Sequence, residues 1–413
     1  MIRSHRKTIY ETLGRESVHP FPARMSAGIA LDAMAGATRP LRVLDPMMGS
    51  GTVLAIARSK GHRAIGIDID PLAVLISRVW TTAVNKEGIR AKAADVLSRA
   101  AAIFRSLPCR SAYPPNSDDK TKQFARYWFD DYARRQLASL SLAISRVRKD
   151  ITRDVLWCGL SRMIIVKQSG ASLAMDLSHS RPHRVFTHAK VKPFAAFVAA
   201  VDRVLANCIG TNCRDRGPAT RTYEGDAREL PLEDRCVDLV VTSPPYLNAI
   251  DYMRCSKFSL VWMGHSIQAL RRLRSESIGA ELAADVNEDE QKIKDIIAEM
   301  RLRKSLPDRQ EQILVRYVED MRRAVAETAR VLVPGGRAVY VVGENSINGT
   351  YIRNSTLVSS VAEWAGLRLK ERLTRPLPAN RRYLPPPARD ARSATLNARM
   401  RREVVLSFEK PSR

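Results

Sequence analysis

Residues 41–70 hold the feature that most restricts how this chain can fold. The apolar run LRVL at 41–44 reads as a buried strand, and Asp45-Pro46-Met47-Met48-Gly49-Ser50-Gly51-Thr52 follows as a glycine-rich turn. A helix is expected from roughly Val53 to Lys60, stopped by Gly61. A second strand, RAIGI at 63–67, ends on Asp68-Ile69-Asp70-Pro71, and another helix starts near Leu72. Strand, glycine turn, helix, strand and acid in this order are the signature of a doubly wound nucleotide-binding sheet.

The sheet pattern then stops and returns much later. Residues 86–217 carry mostly helical periodicity with interleaved aromatic and basic side chains, and 176–193 read as a polar, proline-broken loop. Strands resume near Tyr223, before Gly225-Asp226-Ala227, and again at Val237–Val241, which leads into Thr242-Ser243-Pro244-Pro245-Tyr246. A charged helical stretch follows. Its last helix is expected at Tyr317–Leu332, then Pro334-Gly335-Gly336 and a strand at 337–342. A helix at 356–365 and an antiparallel pair, Leu367–Leu373 with Val404–Phe408, close the chain. The expected division is a discontinuous catalytic domain (1–85, 218–263 and 317–413) with helical insertions at 86–217 and 264–316.

Three strand ends carry chemistry. The glycines at 49 and 51 let a ligand approach the backbone. The negative Asp45 beside them repels phosphate, and no Walker lysine follows, so the turn suits a cationic ligand better than a nucleotide's phosphates. Asp68 is placed to accept hydrogen bonds from ribose hydroxyls. Asp70 either shares that face or caps the next helix. Asp226 either accepts an exocyclic amine or simply turns the chain with Gly225. At the third strand end, two prolines stiffen the backbone. Rigid acceptors at Ser243 and Pro244 beside the Tyr246 ring suit a planar base bearing an amine, and an ordinary strand exit is the plainer alternative.

Among 413 residues, 68 Lys and Arg outnumber 43 Asp and Glu, for a net charge of +25. Such an excess favours a polyanionic partner, nucleic acid above all, although an arginine-rich background would also produce it. The six cysteines form no C-x-x-C pair and no zinc spacing, which points to reduced thiols and no metal. No apolar run reaches the ~18 residues of a membrane span, so a soluble, cytoplasmic protein is expected.

Taken in order, these segments resemble the amino-group DNA methyltransferases, which methylate N4 of cytosine or N6 of adenine with S-adenosylmethionine. His19-Pro20-Phe21-Pro22-Ala23-Arg24-Met25 looks like the family's amino-terminal motif, Asp45 to Thr52 like its cofactor loop, and Ser243-Pro244-Pro245-Tyr246 like its catalytic tetrapeptide. Pro334-Gly335-Gly336 resembles the late turn of class I methyltransferases. The resemblance covers roughly 200 residues, by the span of the matched motifs. It implies an α/β, class I (Rossmann-like) sheet with helices on both faces and two helical insertions. It implies S-adenosyl-L-methionine as cofactor, held by Phe21, Pro22, Asp45, Pro46, Gly49, Ser50, Gly51, Thr52, Asp68, Asp226, Ala227 and Ser243. Catalysis falls to Ser243, Pro244, Pro245 and Tyr246, acting on a base flipped out of DNA.

In the family, Ser in the first position of the tetrapeptide is typical of N4-cytosine enzymes and Asp of N6-adenine enzymes, so cytosine is expected. N6-adenine, an RNA base, a protein glutamine (where Asn is usual at Ser243) and a non-catalytic DNA-binding protein are the alternatives. The long separation of Asp68 from Asp226 departs from the family's usual motif order and leaves the target-recognition region open, with 86–217 the candidate. A restriction or defence partner is compatible with the resemblance; oligomeric state is not indicated. Nucleic-acid contacts are expected from His179, Arg181, His183 and Arg184, from Asn248, Asp251 and Tyr252, and from Arg372, Arg375, Arg381 and Arg382. Solvated surface is the alternative for the two basic groups; Asn248, Asp251 and Tyr252 would line the pocket, with the core as the alternative for Tyr252. Tyr127-Trp128-Phe129 reads as helix core before it reads as a stacking platform.

Overall fold

A computed structural model of the chain describes residues 7–21, 24–175, 177, 182–211, 217–245, 247, 253–280, 289–302, 306–347, 350–376 and 402–412. Its centre is a seven-stranded sheet. In chain order the strands are β1 (Arg42–Asp45), β2 (Arg63–Asp68), β3 (Thr220–Glu224), β4 (Val237–Thr242), β5 (Leu332–Gly343), β6 (Arg368–Pro376) and β7 (Arg402–Glu409). Their order across the sheet is β6-β7-β5-β4-β1-β2-β3. All run parallel except β7, which is antiparallel to both β5 and β6. The chain winds outward from β1 through β2 to β3, then returns to place β4 on the other side of β1. The junction of β1 with β4 is therefore the topological switch point, where ligands bind at the carboxyl ends of an open sheet.

Every residue of β4 is buried, as a central parallel strand covered on both faces must be. Alternation along the strands feeds two cores. Val43, Leu239, Val241, Val339 and Val341 face one, and Leu44, Val240, Ala338, Tyr340 and Val342 face the other. The second core is closed by the helices Asp308–Val331, Glu290–Glu299 and Asn354–Trp364. The first is closed by Thr52–Ser59 and Pro71–Thr81, and the helices of the long interruption pack onto these.

That interruption begins and ends at one place. Ala83–Val84 and Ile209–Gly210 pair in parallel, so the intervening helices leave and rejoin the sheet domain side by side. The helices Lys86–Ser106, Asp119–Trp128, Asp131–Ser145 and Ile151–Ile164 start on Asn85, Asp118, Asp130 and Asp150, whose side chains accept amide N–H bonds of the first turn. Their apolar faces join the first core: Ala100, Leu137, Leu156 and Phe197 cluster with Ile56 and Trp80. Gly159 lets the helix Ile151–Ile164 cross Pro193–Asn207 closely, since a Cβ there would stand 2.6 Å from Val201 Cγ2.

Three expected elements differ. The helix expected from Tyr317 starts at Asp308, because Ile313, Leu314 and Tyr317 continue its buried stripe. The strand expected at 337–342 begins at Leu332 and carries the Pro334-Gly335-Gly336 segment as a register shift against β4. Within the expected loop 176–193, His183–Arg184 pairs antiparallel with Ala174–Met175, since the neighbouring Val185 N–H finds the Leu173 carbonyl at 3.0 Å.

The glycine turn docks on β2 through a contact only glycine permits. A Cβ at Gly66 would lie 2.4 Å from Met48 Sδ and 2.7 Å from Leu54 Cδ2. Gly66→Ala is expected to destabilise the fold by about 1–3 kcal/mol through overpacking, a drop of several degrees in Tm by thermal unfolding.

Candidate active site

The crevice is built on two bonds that tie β1 to β4. At their amino ends Asp238 accepts the Arg42 N–H at 2.7 Å and pairs with Arg39 at 2.8 Å. At their carboxyl ends Thr242 Oγ1 donates to Asp45 Oδ1 at 2.7 Å, both residues buried. The last residues before the glycine turn and before the Ser-Pro-Pro turn are thus locked together.

From Asp45 the glycine turn bends over the end of β2. Met48 N–H bonds to the Ile67 carbonyl at 3.0 Å, and Gly49 N–H to Asp68 Oδ2 at 2.8 Å. Ser77 Oγ donates to the Gly49 carbonyl at 2.9 Å. Gly51 has φ +78°, and a Cβ there would sit 2.6 Å from Ser77 Oγ, so no other residue fits. The Phe21 ring reaches 3.3 Å from the Cβ position of Gly49, which brings the amino-terminal motif against the turn. Ser50 and Thr52 are buried, their hydroxyls 3.2 Å apart. Pro46 continues the turn from Asp45, and Pro22 lies outside the described residues.

The two acids expected at this edge are near enough for the charge of Asp68 to act on Asp45. Burial pushes Asp68 up to about 7, with the charge of Asp70 adding to the effect. Burial likewise pushes Asp45 up to about 7, with the charge of Asp68 adding. Asp70 takes the capping alternative: Oδ1 accepts the Leu72 N–H at 2.9 Å, and Oδ2 accepts Ser256 Oγ at 2.6 Å. Gly225 N–H bonds to the Asp68 carbonyl at 3.0 Å, which sets the 225–227 turn beside β2 with Ala227 buried. The Asp226 carboxylate is gripped by Arg228, Nη2 to Oδ2 at 2.6 Å, and Arg228 also bonds Asp320. An incoming amine would share Asp226 with that guanidinium.

The Ser-Pro-Pro turn is pinned on three sides. Ser243 Oγ donates to the Val341 carbonyl of β5 at 3.0 Å. Its one proton is thereby spent inward, and its lone pairs remain to accept. Tyr317, wholly buried, donates its hydroxyl to the Pro245 carbonyl at 2.8 Å. Asn345 Nδ2 donates to the Leu247 carbonyl, and Asn354 Nδ2 holds Asn345 Oδ1 at 3.0 Å and the Gly343 carbonyl at 2.8 Å. Pro244 is buried between these anchors. Thr242, Tyr317, Asn345 and Asn354 had no signal in the sequence; the partners of Tyr317 and Asn345 lie 72 and 98 residues away.

The remaining candidates divide. Tyr246, Asn248, Asp251, Tyr252, His179, Arg181, Arg381 and Arg382 lie outside the described residues. His183 and Arg184 are exposed on the short antiparallel ribbon. Of the expected backbone clamp, Arg375 is taken out of solvent by a buried ion pair with Glu403, while Arg372 is exposed and bonds Ser355 Oγ. Phe129 is core and Trp128 partly so, while Tyr127 is exposed. Among the described residues no cluster of His, Cys, Asp and Glu suits a metal ion, and no helix is long and apolar enough to cross a membrane.

No protein-family model matches the chain. It is similar to the Type II methyltransferase M.MvaI of Kocuria varians, 21% identical over 378 residues, covering 83% of this chain and 80% of that protein. It is also similar to the Type II methyltransferase M.AvaI of Nostoc sp., 22% identical over 382 residues, covering 81% and 75%. Among solved structures, a SAM-dependent methyltransferase from Methanosarcina mazei aligns over 91% of this chain and 95% of its own, with 9% identity and a TM-score of 0.31. A putative DNA modification methylase from Thermus thermophilus, complexed with S-adenosyl-L-methionine, covers 45% and 51%, with 20% identity and a TM-score of 0.23. The sheet order is that of the doubly wound α/β architecture expected from the sequence, and S-adenosylmethionine is the cofactor that the sequence motifs imply. The residues present fit it: Asp45 is buried and Asp68 partly so beside a turn in which Gly51 leaves no room for a side chain, and a ligand carrying positive charge would favour their ionised form.

Asp45 and Asp68 hold protons up to about pH 7 in the free fold, whereas an unfolded Asp ionises near 3.8. The folded state binds more protons between those values, so their contribution to stability falls as pH rises through that window. The Tm of the cofactor-free protein is expected to fall from pH 5 to 7, and Asp68→Asn to flatten part of that fall. An Asp68→Asn slope equal to wild type would refute the assignment. Cofactor affinity, measured by calorimetry, is expected to be higher at pH 8 than at pH 6. Tyr317→Phe and Asn345→Ala should each lower turnover roughly 10-fold by loosening the turn, with cofactor affinity unchanged.

Proposed function

We propose that this chain is a DNA methyltransferase that transfers the methyl group of S-adenosylmethionine to the exocyclic N4 amine of cytosine. The observation that carries the reading is the state of Ser243: a neutral side chain at the switch-point edge, its proton given to Val341 and its lone pairs left to accept. The cofactor strand is bonded to the same strand one residue earlier, through Thr242 and Asp45.

An exocyclic amine is a poor nucleophile because its lone pair is delocalised into the ring. In this reading its two N–H groups donate to Ser243 Oγ and the Pro244 carbonyl. That draws the nitrogen towards tetrahedral geometry and localises the lone pair on the side facing the crevice. Bound S-adenosylmethionine supplies a methyl group on a sulfonium, an electrophile that needs no further activation. The nitrogen–methyl bond forms as the methyl–sulfur bond breaks, and the amine releases one proton to water. Asp68 would hold the ribose hydroxyls, Asp45 the cationic amino group, and Phe21, Pro46, Gly49, Ser50, Gly51, Thr52 and Ala227 would line the cofactor's path. Rate enhancement rests on positioning and fixed dipoles.

DNA as substrate is supported by the relatives named Type II methyltransferases and by the +25 charge. Helices cover both faces of the sheet, so the site lies at the strand ends, and a base stacked inside a duplex hides the ring edge and amine that would have to reach it. The target base must leave the duplex, at a cost of a few kcal/mol. The sheet-bearing segments would carry the chemistry and the helical segment 86–217 the target contacts.

The test is to incubate the protein with labelled S-adenosylmethionine and either duplex DNA or total RNA, and to digest the product to nucleosides. Label is expected in N4-methylcytosine from DNA. Label confined to N6-methyladenine would sink the cytosine assignment, and label in RNA alone would sink the DNA assignment. Ser243→Ala should reduce turnover by about 10²–10³-fold, as loss of one pre-aimed polar group does, with cofactor affinity preserved.

A further inference from the structure

Arg228 lies two residues past Asp226, in the turn that leaves β3, and its side chain is withdrawn from water. A guanidinium in that position is tolerated only when its N–H groups find acceptors. All three of its nitrogens are engaged. Nε meets Asp226 Oδ1 at 3.0 Å and Oδ2 at 3.1 Å, and Nη2 meets Oδ2 at 2.6 Å. Nη1 donates to Asp320 on the helix Asp308–Val331. Nη2 also donates to the Glu276 carbonyl, at the end of the helix Ile267–Glu276. Arg316, one turn before Asp320, stands 3.7 Å from the second Asp320 oxygen and donates to the Ser275 carbonyl at 2.8 Å.

Two features separate this network from a plain structural staple. The first is where it opens. Side-chain exposure is 7% for Asp320, 10% for Arg228 and 15% for Arg316, against 32% for Asp226. The Asp226 carboxylate is the member left open to a ligand, and an ionised carboxylate can only accept. The second is a set of bonds that join no elements. The bonds from Arg228 to Asp320 and Glu276 already tie the turn to both helices. Those to Asp226 stay within the turn, and the Arg228 backbone N–H adds one more to Oδ1 at 2.8 Å. A side-on guanidinium across both oxygens fixes the plane of the carboxylate. That plane belongs to the residue after Gly225, whose N–H bonds the carbonyl of Asp68.

We propose that Arg228 is a positioning residue for the cofactor: it holds Asp226 as a pre-aimed acceptor for the exocyclic amine of adenine and so sets the choice of adenosine over a nucleoside with a carbonyl in that place. The proposal rests on the reading of S-adenosylmethionine as cofactor and deepens it. Adenine offers N–H donors to a carboxylate. Hypoxanthine offers a carbonyl oxygen, and two acceptors then face one another. A carboxylate free to turn could escape that opposition; one gripped by Arg228 cannot.

The full chain is titrated by calorimetry with S-adenosylhomocysteine and with S-inosylhomocysteine, in which a ring carbonyl stands where adenine carries its amine. Wild type should bind the adenosine compound about 10²-fold more tightly. Arg228→Gln should cut that ratio below about 10-fold, by weakening the adenosine compound while sparing the other. Arg228→Lys keeps the charge without the side-on fork, so its ratio should fall between the two. Removing Arg228 leaves Asp320 buried beside Arg316 alone, so Arg228→Gln with Asp320→Asn is measured alongside and should show the same reduced ratio. Asp320→Asn by itself leaves the grip on Asp226 in place. It should lower the Tm and keep the wild-type ratio. General loosening of the turn would weaken both compounds alike, so an unchanged ratio in Arg228→Gln or in the double variant overturns the proposal. Equal binding of the two compounds by wild type also overturns it. A wild type that binds neither compound, nor S-adenosylmethionine, overturns the cofactor reading itself.

Discussion

The structure depends on how β1 and β4 are joined. Parallel neighbours at a switch point come from distant parts of the chain, and only their side chains can hold them in register at the ends. Asp238 does so at the amino end by accepting the Arg42 N–H, and Asp45 does so at the carboxyl end by accepting Thr242 Oγ1. Both acids are buried, and a buried carboxylate is tolerable only when its lone pairs are filled. The second bond fixes where the glycine turn and the Ser-Pro-Pro turn stand relative to one another. A reaction that works by alignment needs that spacing held before either ligand arrives.

Burial of charge recurs around the crevice and gives it its electrostatic character. Asp45, Asp68 and Asp70 crowd one sheet edge, and burial raises all three. A fold that left them unpaired would lose stability for nothing, but a cationic ligand turns the same arrangement into affinity. The amide N–H groups of Gly49 and Asp70 on Asp68, and of Leu72 on Asp70, hold the acids in place.

The helical interruption is a continuation of the core. His19 is buried with Nε2 2.9 Å from Ser161 Oγ, and Ser161 donates to Ser259 at 2.9 Å. The Ser161 proton is engaged with Ser259, so His19 donates from Nε2. Burial drives its pKa down to about 3, which keeps the ring neutral. This chain of bonds joins the amino-terminal motif, the interruption and the helix after the Ser-Pro-Pro turn.

The β1–turn–helix–β2 unit, the buried run of β4, the antiparallel closing pair and the acids at the strand ends were legible in the residues, because each is local. Apolar period, glycine punctuation and a polar residue at a strand end lie within a few positions of one another. The stiff exit of β4 through Ser243, Pro244 and Pro245 was legible for the same reason. What tertiary structure decided is which polar groups meet across long separations. Asp70 became a cap shared with Ser256, Arg375 a buried partner of Glu403, and Arg228 a link from Asp226 to the distant Asp320. Tyr317 and Asn345 became braces of the Ser-Pro-Pro turn, and a polar loop became a ribbon anchored to Trp128. Local pattern records which groups must be satisfied. The partner that satisfies each is set by the sheet order, which brings together segments that sequence spacing keeps apart.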